Sequence, residues 1–340
     1  MASAKDRIGF HFIPNGTLFS VVHHHGRKSR VAILDRLDFR LVTDENGAAT
    51  QPEQQGSRLR QALQSVRYRF PRSAAVSLPE EHCYQLTVGI QQPDAATDLG
   101  EAVRWEVAQH LPYDRSELIM DWTVVSTEKK TLLIQVCAAP KNIVESHCAL
   151  LEAAGYDPCV LEPVSLSATR TLALPALDPL LCIILGDVST TLVIISGACI
   201  PMTINSRHCT DDRITDLFMH KLHLSDHDAN KAKTVCGFDP AINRGEVRAI
   251  LLDELKAVLS DIASAQAFLT EHGAPKLRGI VLTGPGSLVK HIDREIAQQT
   301  QLPVFLHPPR KDVTITHVPH RETAARTAQF SSAIGVALRR

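Results

Sequence analysis

The sequence predicts an α/β protein of two lobes, with a small α+β unit set into the first. Three observations carry this. The chain has 340 residues, more than one core usually takes and enough for about two domains at roughly 150 residues each. Alternating apolar and polar residues recur at 8–42 and 180–204, and each time helices follow. Between these regions, residues 98–161 read as helix, strand, strand, helix, strand, the order of a compact α+β unit. The expected division puts 1–79, 162–180 and 328–340 in the first lobe. It puts 80–161 in the inserted unit and 181–327 in the second lobe, whose helical part is at about 211–245.

The elements follow in order. Period-2 patterning around Asn15-Gly16 and around Gly26-Arg27-Lys28 predicts three antiparallel strands. A polar stretch, 43–56, reads as loop, 57–70 as a short helix and Ala74 to Pro79 as a strand. Asp98 and Glu101 have capping-box spacing, and Leu99, Val103, Val107 and Leu111 make one apolar stripe before Pro112. Strands are expected at 118–125 and 131–138, a helix from Asn142 to Ala154 closed by Gly155, and a strand at 158–161. In the second half, strands to Ile195 and from Cys199 flank a Ser196-Gly197 turn, and helices are expected at 211–220 and 225–235. A longer helix at 246–272 carries Leu251, Leu255, Val258, Ile262, Ala265 and Leu269 along one side. The strand 279–282, a tight loop at Thr283 to Ser287, a helix at 288–299 and a strand at 304–306 complete the lobe. Residues 308–327 read as surface loop before a last helix, 328–338.

Composition narrows the function classes. With 44% hydrophobic and 21% charged residues and a net charge of -1, the chain is neither disordered nor a bulk binder of nucleic acid. The longest apolar run, Leu180 to Ile195, is interrupted by Gly186 and Asp187 and falls short of the ~20 residues that span a bilayer. The amino terminus has no secretory h-region, so a cytosolic protein with no direct membrane insertion is expected. The 8 cysteines form no C-x-x-C pair and sit mostly in apolar runs, as reduced core thiols do.

Chemistry concentrates in Leu185-Gly186-Asp187-Val188-Ser189-Thr190-Thr191, where an acid and three hydroxyls stand between two apolar strands. Two readings stand: a strand-end turn whose short side chains bond nearby backbone, or a phosphate-contacting loop. Gly284-Pro285-Gly286 is a second turn of this kind. His23, His24 and His25 lie on a strand, where alternation leaves at most two on one face, so they read as a solvated hairpin end. Arg104 and Trp105 are residue types favoured as interface anchors, and the alternative is that Trp105 covers the sheet of its own unit. No catalytic set and no metal-ligating set is assigned.

These residues carry a resemblance. The run LGEAVRWEVAQHLPYDRSELIMDWTVV, followed by LLIQVCAAPKNIVESHCALLEAAGYDPCVLEP, closely resembles the inserted subdomain of the PilM family. Those are cytoplasmic actin-like proteins of type IV pilus assembly, including MSHA-type pili, related to the cell-division protein FtsA. ITDLFMHKLHLSDHDANKAK and VLTGPGSLVKHIDREIAQQTQLPVFL extend the likeness, which spans about residues 75–340. It implies an actin-like, ribonuclease-H-like duplicated fold with ATP or ADP and Mg²⁺ between the lobes. It places Asn15, Gly16 and Thr17 in the first phosphate hairpin, Asp187, Ser189, Thr190 and Thr191 in the second, and Gly284 and Gly286 in the adenosine turn. It also implies a partner: the cytoplasmic tail of a PilN-like inner-membrane protein, met through Arg104, Trp105, Leu111 and Tyr113, which would hold the chain at that membrane indirectly. Three departures weigh against turnover. His11 stands where the family has an acid, Ile13 stands where it has a glycine, and Pro285 removes an N–H from the adenosine turn. The second hairpin also lacks the glycine expected soon after its acid. A scaffold with a degenerate nucleotide site is therefore expected. The alternative is an active actin-like ATPase of pilus or cell-division machinery.

Overall fold

The computed structural model describes residues 6–91, 98–128, 130–197, 199–316 and 322–340. The first lobe is built on a sheet of six strands. β1 (Arg7–Ile13), β2 (Gly16–His25) and β3 (Lys28–Leu37) form an antiparallel meander. Its first turn is the two-residue Pro14-Asn15, because Ile13 pairs with Gly16. β4 (Ser73–Leu78) lies parallel to β1, β8 (Asp157–Pro163) lies parallel to β4, and β14 (Val313–Ile315) pairs with β3 at the opposite edge. The second lobe repeats the plan. β9 (Leu180–Leu185), β10 (Thr190–Ser196) and β11 (Cys199–Ser206) are antiparallel, and β12 (Gly279–Thr283) and β13 (Val304–Leu306) extend β9 in parallel. All six residues of β9 are buried, as expected for a strand covered on both faces.

A third sheet has the order β5 (Tyr84–Gln91), β7 (Thr131–Pro140), β6 (Leu118–Glu128). One face packs on α2 (Leu99–Ala108), where Val103 and Val107 are fully buried against Val88, Ile134 and Val136. Asp98 caps α2 by accepting from Gly100 N at 2.9 Å. The stretch 80–161 thus divides between two sheets. β5, β6, β7 and α2 make the small unit. α3 (Lys141–Ala154), however, packs with α1 (Pro52–Gln64), and β8 completes the six-stranded sheet. Pairing partners decide this, because β8 finds its ladder on β4 about eighty residues upstream rather than on β7.

Three further differences from the sequence reading are local. α1 begins at Pro52 rather than 57 and ends at Gln64. The stretch 308–327 contains β14, while 317–321 lie outside the described residues. The last helix is two, α9 (Thr323–Gln329) and α10 (Ser331–Leu338), separated at Phe330. The long helix α7 (Glu246–Glu271) keeps its predicted stripe buried, from Leu251 to Leu269.

Two short helices join the lobes. Every residue of α10 is buried, and Ala333, Ile334 and Ala337 pack on Leu18, Val22 and Val31 of the first sheet. α4 (Val164–Arg170) buries Val164 and Ala168 against Cys182, Ile184, Val193 and Val281 of the second sheet. The helices cross so closely that a Cβ on Gly335 would overlap the carbonyl oxygen of Ser167. Gly335→Ala is expected to force the crossing apart and cost about 3 kcal/mol, the upper end of overpacking effects. Urea denaturation monitored by circular dichroism checks this, and an unchanged midpoint would contradict it.

Candidate functional site

The lobes leave a cleft of about 500 Å³ between the β1–β2 hairpin and the end of β9. The first lobe contributes Ile13, Asn15, Arg36 and Arg40. The second contributes Asp187 with Asp211, Asp212 and Asp216 of α5 (Asp211–Lys221), Asp226 of α6 (Asp226–Val235), and Pro285. The β1–β2 turn reaches α5 across the cleft. Asn15 Nδ2 donates to Asp212 Oδ2 at 3.5 Å, and the Arg36 guanidinium donates to the Asn15 carbonyl.

The cleft is acidic, and its acids perturb one another. Burial pushes the Asp187 carboxyl up to about 7, with Asp211 and then Asp212 adding to the rise, against a smaller opposing effect of Arg36. Asp212 is raised for the same reasons, burial first and then Asp211. Asp211 is paired, since buried Lys233 reaches its Oδ2 at 2.7 Å. Among the described residues, no three metal-ligating side chains come together.

The residues expected to hold a phosphate separate into two sets. Asp187 and Asn15 line the cleft. The threonine hydroxyls are satisfied elsewhere. Thr17 donates to the Phe39 carbonyl at 2.8 Å, Thr190 to the His208 carbonyl at 2.7 Å, and Thr191 to Asn205 Oδ1 at 2.9 Å, all three side chains being buried. The Ser189 carbonyl closes its own turn by accepting from Gly186 N at 3.0 Å. The loop then turns its carbonyls onto α5, where Asp211 N donates to Gly186 O at 2.9 Å and Asp212 N to Asp187 O at 3.0 Å. The first N–H groups of that helix, ordinarily available to an anion, are occupied. Gly284, at φ 87°, and Gly286 lie against Leu185, and Cβ atoms there would collide with the end of β9. Gly16 sits between the hairpin turn and Leu37. His11 is half-buried beside Ser77, and burial lowers its imidazole to about 4, so it is neutral near pH 7. Arg36, Arg40 and the α5 aspartates were not singled out by sequence reading. The pair Asp211-Asp212 was legible only as the start of a helix.

A second concavity, about 610 Å³, lies between β6 and β8. Each is the terminal strand of its sheet, so two unpaired strand edges wall one groove. Ile119, Asp121, Trp122 and Thr123 line one side, Pro158, Cys159, Leu161 and Glu162 the other, and Val144, Cys148 and Leu166 lie between them. Burial holds the Cys137 thiol up at about 12 and raises those of Cys83 and Cys148, so these three lining thiols are protonated. The anchors named from sequence lie elsewhere. Trp105 is 58% exposed on α2, Arg104 pairs with Glu101 at 3.7 Å, Leu111 packs into the small unit's core, and Tyr113 stacks edge-on against Tyr84.

A family model described as "Type IV pilus assembly protein PilM" matches residues 30–340. The chain belongs to the PilM family. A structure of a PilM–PilN type IV pilus biogenesis complex superposes with a TM-score of 0.78 at 17% identity, covering 98% of both chains. Ethanolamine utilization protein EutJ from Carboxydothermus hydrogenoformans matches with a TM-score of 0.54 at 10% identity, covering 98% of this chain and 89% of its own. MreB 5 of Spiroplasma citri bound to AMPPNP matches with a TM-score of 0.50 at 13% identity, covering 89% and 91%. No curated protein sequence matches the chain significantly. The fold of this PilM-family chain is actin-like, as the resemblance implied. Among the described residues no helix is long and apolar enough to cross a membrane.

The raised carboxyl has a measurable consequence. Because folded Asp187 titrates near 7 and the unfolded group near 3.8, the folded state binds the extra proton between those values, and this contribution to stability declines as pH rises through the window. Asp187→Asn is expected to melt with the wild type near pH 4 and above it at pH 8. Equal differences in melting temperature at both pH values would contradict the assignment.

Proposed function

We propose that this PilM-family chain is a scaffold of the type IV pilus machinery that binds the cytoplasmic tail of a PilN-type inner-membrane protein in the groove between β6 and β8, on the cytoplasmic side. One observation carries the reading: two open strand edges face each other across an apolar groove. An extended segment entering it can pair its main chain with a free edge while alternate side chains fill the space between. Ile119 on β6, 41% exposed, is a large apolar groove-lining side chain that such a segment would cover. The structural relative is itself a complex of PilM with PilN, and we carry that pairing to this chain. The tail would tether the chain at the membrane, with no spanning helix of its own required.

The cleft supports a scaffold rather than an ATPase. The residues present do not fit a magnesium-bound triphosphate. The side chain at the first hairpin is a neutral imidazole, the second loop spends its two threonine hydroxyls and the first α5 N–H groups internally, and aspartates face the space where further negative charge would sit. MreB 5 was solved with AMPPNP, whereas the cleft between the lobes of this chain is lined by five aspartates.

Titrating a fluorescent peptide of the PilN-type cytoplasmic tail tests the groove. Ile119→Asp is expected to weaken binding at least tenfold, whereas Trp105→Ala should stay within about twofold. The reverse pattern would move the tail to α2. Millimolar Mg-ATP should produce neither a melting shift nor phosphate release. A ligand at a hundredfold its dissociation constant stabilises by about 2.7 kcal/mol, so a clear shift would restore a working nucleotide site.

A further inference from the structure

The apolar groove adjoins a basic cavity, with Arg339 between them reaching both Asp121 of β6 and Glu162 of β8. Arg170 and Arg339 line both the groove and an adjoining space of about 490 Å³. Five arginines wall that space, Arg27, Arg170, Arg310, Arg339 and Arg340, and Asp312 is the one acidic side chain among its described lining residues. Three of the arginines are already committed. Arg170 forks onto buried Glu162, Arg339 donates to Asp121 at 2.7 Å, and Arg310 forks onto its neighbour Asp312. Arg27, exposed in the turn between β2 and β3, and Arg340 have no ion-pair partner among the described residues. The carboxylate partners offset three of these charges, so an anion seated there is favoured chiefly by Arg27 and Arg340, which are also the two that can hydrogen-bond it.

We propose that the segment held in the groove carries an acidic side chain at the end that meets this cavity, and that its carboxylate seats between Arg27 and Arg340. The proposal rests on the groove reading above and adds a partner chemistry to it. Proximity favours a group on the same peptide, because Arg170 and Arg339 line both spaces and the residues of a groove-bound strand that pass them meet Arg27 and Arg340. Asp121 and Glu162 on the groove walls already satisfy the nearer guanidinium groups, so the partner's carboxylate belongs beyond them. Guanidinium rather than ammonium suits this role, since its fixed fork matches a carboxylate in plane. The seat also gives the bound strand a direction, because only one orientation brings the acid to the arginine end.

The test is panning of a phage-displayed random dodecamer library against the full chain. Fluorescence polarisation then follows with one selected peptide, its Asp→Asn or Glu→Gln counterpart, and the doubly substituted protein Arg27→Ala/Arg340→Ala. Arg27 and Arg340 are exposed, so that protein should fold. The expected selection is an apolar alternating motif with an acid fixed at one end. Neutralising the acid, or removing both arginines, should each cost about tenfold in affinity, without adding when combined, and the difference should shrink as salt rises. Peptides that Ile119→Asp abolishes but that show no acidic preference would overturn the proposal and leave the groove reading intact. Selected peptides indifferent to Ile119→Asp would overturn both. Sedimentation with phosphatidylglycerol vesicles separates the other source of an anion. Vesicle binding lost in Arg27→Ala/Arg340→Ala, with no acidic preference among peptides, would assign the arginines to lipid and overturn the proposal.

Discussion

The crossing of α4 and α10 is the contact on which the rest of the molecule depends. α10 belongs to the first sheet and α4 buries its apolar side in the second, so their backbone approach at Gly335 and Ser167 fixes one lobe on the other. Such an approach leaves polar groups that must find partners, and each does. Ser77 Oγ and Ser167 Oγ bond at 2.8 Å, Ser20 donates to the Ala333 carbonyl at 2.9 Å, and the Arg170 guanidinium donates to the Gly335 carbonyl at 2.9 Å. Small residues let the helices touch, and hydroxyls repair what the contact would otherwise leave unpaired.

The small unit is held by the same logic at another junction. Glu80, 3% exposed, sits between the first lobe and β5. Its Oε2 accepts from Ser165 N at 2.9 Å, and its Oε1 accepts from Ser165 Oγ at 2.8 Å and Gln85 Nε2 at 2.6 Å. Burial raises this carboxyl despite those bonds. A buried carboxylate contributes little net stability, but removing one of its partners is costly, so this arrangement acts more as a position marker than as glue. It pins the small sheet to α4, and through α4 to the lobe crossing. Gln135 extends the attachment to the second lobe, where its Oε1 accepts from Ile200 N at 2.9 Å.

Much of the fold was legible in the sequence because it is local. The hairpin alternation, the α7 stripe and the Asp98 cap are patterns that a few neighbouring residues specify. The misses are tertiary. α1 was started too late because Gly56 looks like an element boundary, whereas in the structure it lies mid-helix where α1 meets α3, and a Cβ there would overlap the Leu150 carbonyl. β14 is three residues long and has no periodicity to find. The allegiance of β8 was settled by a ladder with β4, which sequence spacing does not express. For the cleft, the motif residues could be found in the sequence but their orientation could not, because whether a threonine hydroxyl faces a ligand or a backbone carbonyl depends on the neighbouring strand. The groove left no motif at all, since it consists of two edges that become neighbours only after folding.

That origin also explains why the groove is suited to binding. Its walls are strands already laddered on their inner sides, β6 on β7 and β8 on β4, and helices α3 and α4 and the face of β7 complete its lining. None of these backbones has to be ordered by a ligand, so an incoming segment loses only its own conformational freedom, and the main-chain bonds it gains have few other costs to offset. An exposed edge would ordinarily invite nonspecific pairing. Here the two edges face one another across the groove, and charged side chains, Asp121 with Arg339 and Glu162 with Arg170, stand on the walls. A single extended segment, with both of its own edges unpaired, suits such a space better than a second sheet does. The geometry that protects the edges is therefore also one that an extended segment can use.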